Sequence, residues 1–174
     1  MKKISTQKLY EIIRNPLVSE KSTYVSQFNY YVFKVSNKST KPEIKQAVEK
    51  SNIIITMLSD DDAVLSVISN KDFLENIKKN SIVIDMSSTK PITSKKINEI
   101  LKKKEIYFLD APVSGGTLGA ENGNLAIMVG GEKEVFNKAL NLLNTMGNPT
   151  LVGPIGCGQI AKLANQIIVG ITIG

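Results

Sequence analysis

The chain has 174 residues, of which 42% are hydrophobic and 22% charged, with one cysteine and no histidine. The absence of histidine excludes Ser-His-Asp and Cys-His nucleophile pairs and disfavours zinc or non-haem iron, so we expect no metal site. A single cysteine forms no internal disulfide, which predicts the reducing cytoplasm, and no apolar run approaches the roughly 20 residues that cross a membrane.

The net charge of +6 comes entirely from the first 50 residues. They hold 10 Lys+Arg and 4 Asp+Glu, whereas the remaining residues hold 12 of each. A split of this kind predicts two segments with different partners, and a basic segment is typical of nucleic-acid binding.

The first segment predicts two helices around one strand. Apolar residues at helical spacing, followed by a proline, predict a short amphipathic helix over 5–14. The aromatic and β-branched run "FNYYVFKV" predicts a strand at 28–35. The capping-box pattern "TKPE" predicts a helix over about 41–50.

From residue 52 onward, short apolar strands alternate with amphipathic helices. We predict strands at 52–58, 81–86, 106–110, 125–129 and 149–152. We predict helices at 61–79 with a break near Asn70, at 92–104 and 132–146, and from Gly158 onward. Strands that alternate with helices indicate βαβ units, and therefore an α/β fold with a mainly parallel sheet buried on both faces.

One dinucleotide-type motif occurs, "GCGQIA" from Gly156 to Ala161, which matches G-x-G-x-x-G/A. A dinucleotide site also needs a second strand with an acidic residue about 20 positions further on. The sequence ends at Gly174, inside the predicted helix, so we interpret the motif as a glycine-rich helix entry.

Two other segments carry side chains typical of a substrate site. "DAPVSGG" places Ser114, Gly115 and Gly116 after a strand, and "GCGQIAKLANQ" places Lys162 and Asn165 three apart on one helical face. Because parallel sheets bind ligands at the carboxyl ends of their strands, we expect both segments at one edge. Glycine amides can hold a carboxylate, and a buried lysine can exchange a proton with an alkoxide. Taken singly, the lysine is more typical of a solvated surface, and S-G-G of a turn.

Taken together, these segments resemble the β-hydroxyacid dehydrogenase family, which includes 3-hydroxyisobutyrate dehydrogenases and tartronate semialdehyde reductases. The resemblance covers about 52–174 and also rests on "NIIITMLSDDDAV" and "IVIDMSSTKP". "KLANQIIV" and "DMSS" favour the tartronate semialdehyde reductase branch. The resemblance implies an incomplete Rossmann-like domain, followed by the start of a helical domain that in the family supports dimerisation.

The resemblance also implies a role for each candidate site residue. Lys162 would be the catalytic acid/base for hydride transfer between a nicotinamide cofactor and a small hydroxy acid. The ligand contacts would be Ser114, Gly115, Gly116 and Asn165 for the substrate, and Leu58, Ser59 and Ser88 for NAD or NADP.

Residues 1–50 resemble another family, through "IRNPLVSEKS" and "TKPEIKQAVE". They are similar to the N-terminal half of large-subunit ribosomal protein twenty-three, which implies contacts with ribosomal RNA phosphates by Arg14, Lys21 and Lys41. An ordinary solvated surface is the alternative for these cations. The segment contains no glycine, so the phosphate-binding glycine turn that begins the dehydrogenase family is missing, and we expect weak cofactor binding and low turnover.

These resemblances divide the chain into a ribosomal-protein-like βα fragment (1–50), a truncated Rossmann-like NAD(P)-binding domain (51–156) and the first helix of a truncated helical domain (157–174). Three hypotheses follow. The chain is an oxidoreductase fragment, or an RNA-binding ribosomal component with a foreign tail, or a chimeric product without a selected function.

Overall fold

A computed structural model of the protein describes Ile13–Pro16, Phe33–Val35 and residues 51–173. The chain divides into two compact units, one formed by 1–51 with 76–78, the other by 52–75 with 79–174.

The first unit contains a two-stranded antiparallel sheet. Strand β1 (Ile13–Pro16) pairs with strand β2 (Phe33–Val35). The helix predicted over 5–14 is therefore wrong at its end, where Ile13 and Arg14 lie in β1, since pairing with another strand satisfies the backbone without helical turns. The strand predicted at 28–35 is confirmed over its last three residues.

Three other predictions for this segment lie outside the described residues. These are the helix at 41–50 and the proposed RNA contacts Lys21 and Lys41. They stay predictions.

The second unit contains six strands and six helices among the described residues. The strands are β3 (Ile53–Thr56), β4 (Ile82–Asp85), β5 (Tyr107–Asp110), β6 (Val113–Ser114), β7 (Leu125–Gly130) and β8 (Gly147–Gly153). The helices are α1 (Asp61–Ile68), α2 (Lys71–Asn76), α3 (Pro91–Lys102), α4 (Gly116–Glu121), α5 (Lys133–Leu143) and α6 (Cys157–Ile173). All five strands predicted from the apolar runs are present, and the predicted break near Asn70 separates α1 from α2.

The strands form one mixed, mainly parallel sheet, as the sequence predicts. Strands β3, β4 and β5 are parallel neighbours, and β7 and β8 form a second parallel pair. Strand β7 runs antiparallel to β5 and β6, so the two parallel sets point in opposite directions. Strand β6, which follows β5 in the chain, therefore also pairs with β7, so the chain stays in the sheet after β5.

The sheet has an apolar core, and its two buried carboxylates lie at the ends of neighbouring strands. Ile84, Leu109 and Val129 are fully buried at its centre, and all four residues of β4 are buried. The buried apolar side chains of the sheet cluster on β4, β5 and β7, and the buried carboxylates Asp85 and Asp110 come at the last residues of β4 and β5. Asp85 and Asp110 are paired in register, so both charges lie at the same edge.

None of the helices in the described part of the chain is long and apolar enough to cross a membrane.

Candidate active site

The carboxyl ends of β3 and β4 are joined by a buried hydroxyl–carboxylate network. The hydroxyls of Thr56 and Ser87 donate to Oδ1 of Asp85 over 2.9 and 2.6 Å. The Ser87 hydroxyl in turn accepts the main-chain N–H of Leu58 at 2.8 Å. The network therefore fixes the loops after the two strands, which carry the predicted cofactor contacts.

The predicted cofactor contacts are all at least partly accessible. Leu58 is half-buried, while Ser59 and Ser88 are exposed. The parallel register of Thr56 with Asp85 brings residues 58–59 and 87–88 together at one edge. The Ser59 hydroxyl donates to Oδ2 of Asp60 at 2.7 Å, and hydroxyls of this kind can also hydrogen-bond to a ligand.

Asp85 carries an energetic cost that its partners only partly offset. Burial raises the pKa of its carboxyl above the ordinary 3.8, although hydrogen bonds from Ser87 and Thr56 oppose the rise. Its Oδ2 has no hydrogen-bond partner among the described residues. The folded chain therefore holds a proton at Asp85 more tightly than the unfolded chain does.

This difference in proton affinity predicts that Asp85→Asn becomes more stable than the wild type as the pH rises. A raised folded pKa contributes stability in acid, and this contribution is lost as pH rises from about 4 through the folded value. Asparagine does not titrate, so the variant keeps its stability as the pH rises. Its free energy of unfolding should therefore increase relative to that of the wild type, by about 1.4 kcal/mol for each tenfold difference in the proton affinity of Asp85 between the folded and unfolded chains. Urea unfolding from pH 4 to pH 8 measures the gain. A similar pH-dependent gain in Asp62→Asn, an exposed position on α1, would contradict the explanation.

The second buried carboxylate, Asp110, binds the beginning of α6. Its Oδ1 accepts the N–H of Gly156 at 2.7 Å and its Oδ2 accepts the N–H of Gln159 at 3.1 Å. Burial nevertheless raises the pKa of Asp110, with these backbone hydrogen bonds acting in the opposite direction. A carboxylate at a helix N-terminus satisfies free N–H groups and complements the helix dipole. Asp110 thus attaches α6 to the end of β5.

The "GCGQIA" motif serves this attachment, as the interpretation of a glycine-rich helix entry predicts. A Cβ on Gly158 would lie 2.4 Å from the carbonyl oxygen of Met128 and 2.6 Å from that of Asp110. Gly156 has a positive φ of 92°, a conformation that favours glycine. The glycines allow the helix to touch the sheet, and the motif forms no dinucleotide loop here.

The structure brings the predicted substrate residues together. The side-chain amide of Asn165, on α6, donates to the hydroxyl of Ser114 at 3.2 Å. Gly115 and Gly116 follow with φ of 139° and 61° and are exposed. The positive φ values turn the chain immediately after Ser114, and an added Cβ at Gly116 would meet nothing within 4 Å. An open surface therefore borders the Ser114–Asn165 pair.

Lys162 lies on the same helix, one turn before Asn165. Its Nζ donates to Oε1 of Gln166 at 3.1 Å. Partial burial lowers the pKa of Lys162 from the ordinary 10.5. A lowered pKa raises the fraction of neutral amine, which is the form that accepts a proton from a hydroxyl.

Sequence reasoning missed three residues that organise this edge: Asp85, Asp110 and Gln159. The side chain of Gln159 is 1% exposed. It accepts the N–H of Thr89 at 3.0 Å and donates to the carbonyl oxygen of Ser87 at 2.8 Å. The aspartates ending two apolar strands were a usable signal, whereas nothing near Gln159 in sequence indicates its partners.

A mainly parallel sheet with flanking helices, and with lysine, asparagine and serine at one edge, is typical of a Rossmann-like domain. Comparison with known families agrees. The family described as the NAD binding domain of 6-phosphogluconate dehydrogenase matches residues 22–160. The chain belongs to this family.

Individual relatives support the β-hydroxyacid dehydrogenase group. An uncharacterized oxidoreductase of Bacillus subtilis (strain 168), YkwC, is 44% identical over 131 residues, 74% of this chain and 46% of the relative. The 2-hydroxy-3-oxopropionate reductase of Escherichia coli (strain K12) is 41% identical over 131 residues, 74% of this chain and 45% of that protein. The chain therefore spans less than half the length of these relatives.

A solved structure gives the same grouping. The Mycobacterium tuberculosis 3-hydroxyisobutyrate dehydrogenase with L-serine has a TM-score of 0.68 and 30% identity, covering 72% of this chain and 43% of its own. The ribosomal resemblance finds no support in these comparisons. The family match instead begins at residue 22, inside the segment that we assigned to the ribosomal protein.

Proposed function

We propose that the second unit supplies the hydride-transfer edge of an NAD(P)-dependent dehydrogenase that acts on a small β-hydroxy acid. The contact between Asn165 and Ser114 carries the proposal, because it joins the two sequence segments that the hypothesis requires at one place. Lys162, one turn away on the same helix, supplies a base with a lowered pKa.

The roles of the residues follow from their chemistry. Ser114 and the exposed backbone at Gly115 and Gly116 bind the substrate carboxylate through hydroxyl and N–H donors. Asn165 orients the substrate hydroxyl by its amide. Lys162 accepts the proton of that hydroxyl during oxidation and returns it during reduction.

The cofactor fits the edge at the ends of β3 and β4. Leu58, Ser59 and Ser88 would hold its nicotinamide ring, and NAD or NADP, when bound, would accept or supply the hydride. The Asp85 network below these loops keeps them in place. The match to an NAD-binding family supports this assignment.

The substrate class rests on the site and on the relatives. L-serine in the Mycobacterium tuberculosis structure and the substrates named in the relatives share a carboxylate near a hydroxyl or aldehyde carbon. A site with carboxylate donors beside a proton acceptor recognises this pattern. A cytoplasmic location and oligomerisation through a helical domain remain predictions.

Nucleotide titration tests the proposal. We expect NADH or NADPH fluorescence to change saturably, with weak affinity because residues 1–50 contain no glycine turn. Ser88→Leu should weaken binding about tenfold, or ~1.4 kcal/mol, because the larger side chain enters the nicotinamide region. Ser66→Leu, an exposed serine on α1, is the matched control. No saturable binding of either nucleotide, or equal effects of the two variants, would overturn the proposal.

A further inference from the structure

One buried side chain connects the two halves of the proposed site. Gln159 lies on α6, three residues before Lys162, and its amide bonds to the main chain at Ser87 and Thr89. These two residues flank Ser88, a predicted nicotinamide contact. Helix α6, which carries Lys162, therefore holds the loop around Ser88 through hydrogen bonds to the residues on either side of it.

The chemistry of the contact requires an amide of this length. The N–H of Thr89 must meet an acceptor, and the carbonyl of Ser87 must meet a donor. Glutamine offers both groups in one plane, whereas ionised glutamate has no donor and leucine has neither. Asparagine is shorter by one methylene and cannot reach both partners from the same backbone position.

The main chain of Gln159 makes the third connection. Its N–H donates to Oδ2 of Asp110, the residue that begins the segment leading to Ser114. Gln159 thus touches the cofactor loop through its side chain and the substrate segment through its backbone. It contacts no predicted ligand itself.

The geometry points to Gln159 as a positioning residue that couples cofactor binding to substrate binding. Any displacement of residues 87–89 when the nicotinamide binds is transmitted through the amide to α6, which places Lys162 and Asn165 for the hydroxy acid. Coupling of this kind is reciprocal, so each ligand tightens the other by the same factor. This inference rests on the proposed function, and its failure can be distinguished from the failure of that function.

The experiment measures the affinity of NADH with and without 3-hydroxyisobutyrate. Both ligands are already reduced, so no turnover disturbs the equilibrium. In the wild-type protein, saturating hydroxy acid should tighten NADH binding about fivefold or more, in the range of typical coupling between sites. In Gln159→Leu, each ligand alone should still bind, while the coupling factor falls to about one.

Two further variants make the result specific. Gln159→Glu should keep the coupling at pH values where the introduced carboxyl is protonated, since it then offers a donor and an acceptor, and should lose it where that carboxyl is ionised. Thr172→Val removes an exposed side-chain hydrogen bond near the other end of α6 and should couple like wild type.

Each outcome has one meaning. Coupling that persists in Gln159→Leu overturns the inference, as does wild-type binding of both ligands without coupling, and the proposed function then stands. Loss of both individual affinities in Gln159→Leu shows a merely structural role and also overturns it. A wild-type chain that binds neither ligand contradicts the proposed function itself.

Discussion

Lys162→Met is expected to lower the rate of hydroxy-acid oxidation about 100-fold or more, the usual contribution of a positioned acid/base. The variant keeps the length of the side chain but has no group that accepts the substrate proton. NADH affinity should stay within about twofold of wild type, because Lys162 acts at the hydroxyl and not at the nicotinamide. Formation of the aldehyde product from 3-hydroxyisobutyrate, measured by mass spectrometry with millimolar cofactor, gives the rate.

The pH profile gives the same experiment a second readout. Oxidation requires the neutral amine, and burial lowers the pKa of Lys162 below the ordinary 10.5. The wild-type rate should therefore rise with pH along a limb that lies below 10.5, and this limb should be absent in Lys162→Met. Lys96→Met, at an exposed position of α3, is the matched control. A normal rate in Lys162→Met, or an equal loss in the control, would contradict the assigned role.

The sequence was sufficient for five of the six strands of the second unit and for the meeting of the two site segments, but it missed β6, in which Ser114 lies. Apolar runs of four to six residues identify buried strands, and helical spacing places Lys162 and Asn165 on one face. The rule that ligands bind at the carboxyl ends of parallel strands then predicts that the two segments lie at one edge. The hydrogen bond of 3.2 Å between Asn165 and Ser114 brings them together, although it does not establish a role for either residue.

Strand direction and long-range polar contacts could not be predicted in the same way. The run "LAIMVGG" indicates a buried strand, but apolar character is the same for either direction, and β7 runs antiparallel to β5. The partners of Asp110 lie 46 and 49 residues further along the chain, and those of the Gln159 side chain 70 and 72 residues before it. Contacts of this range depend on the packed fold and leave no local pattern.

The first unit shows that helical spacing and basic composition are weak evidence when taken alone. Helical spacing predicted a helix through Ile13 and Arg14, yet both lie in β1, where pairing with β2 decides the conformation. The family match that begins at residue 22 also places part of this segment with the dehydrogenase domain. A basic composition in this segment is thus insufficient evidence for an RNA partner.

Gly158→Ala is expected to lower the free energy of unfolding by about 3 kcal/mol, near the upper end for overpacking, or to prevent folding. The added methyl would approach the carbonyl oxygens of Met128 and Asp110 and the Asp110 carboxylate at 2.4 to 2.8 Å. Two of these atoms belong to the backbone of the sheet, so the helix itself must move. Displacement of α6 would break the bonds from Gly156 and Gln159 to Asp110, whose buried carboxylate would lose its partners. Urea unfolding followed by circular dichroism measures the change.

Gly170→Ala separates this packing effect from helix propensity. Gly170 lies on the same helix, and a Cβ there would meet nothing within 4 Å. Alanine loses less backbone freedom than glycine in a helix, so this variant should gain roughly 0.5–1 kcal/mol. The two identical substitutions are thus expected to act in opposite directions on one helix, since an added Cβ would meet the sheet at Gly158 and would meet no described atom beyond the helix within 4 Å at Gly170. If Gly158→Ala were as stable as Gly170→Ala, α6 could not lie against Asp110 as described, and the arrangement that places Lys162 and Asn165 would be wrong.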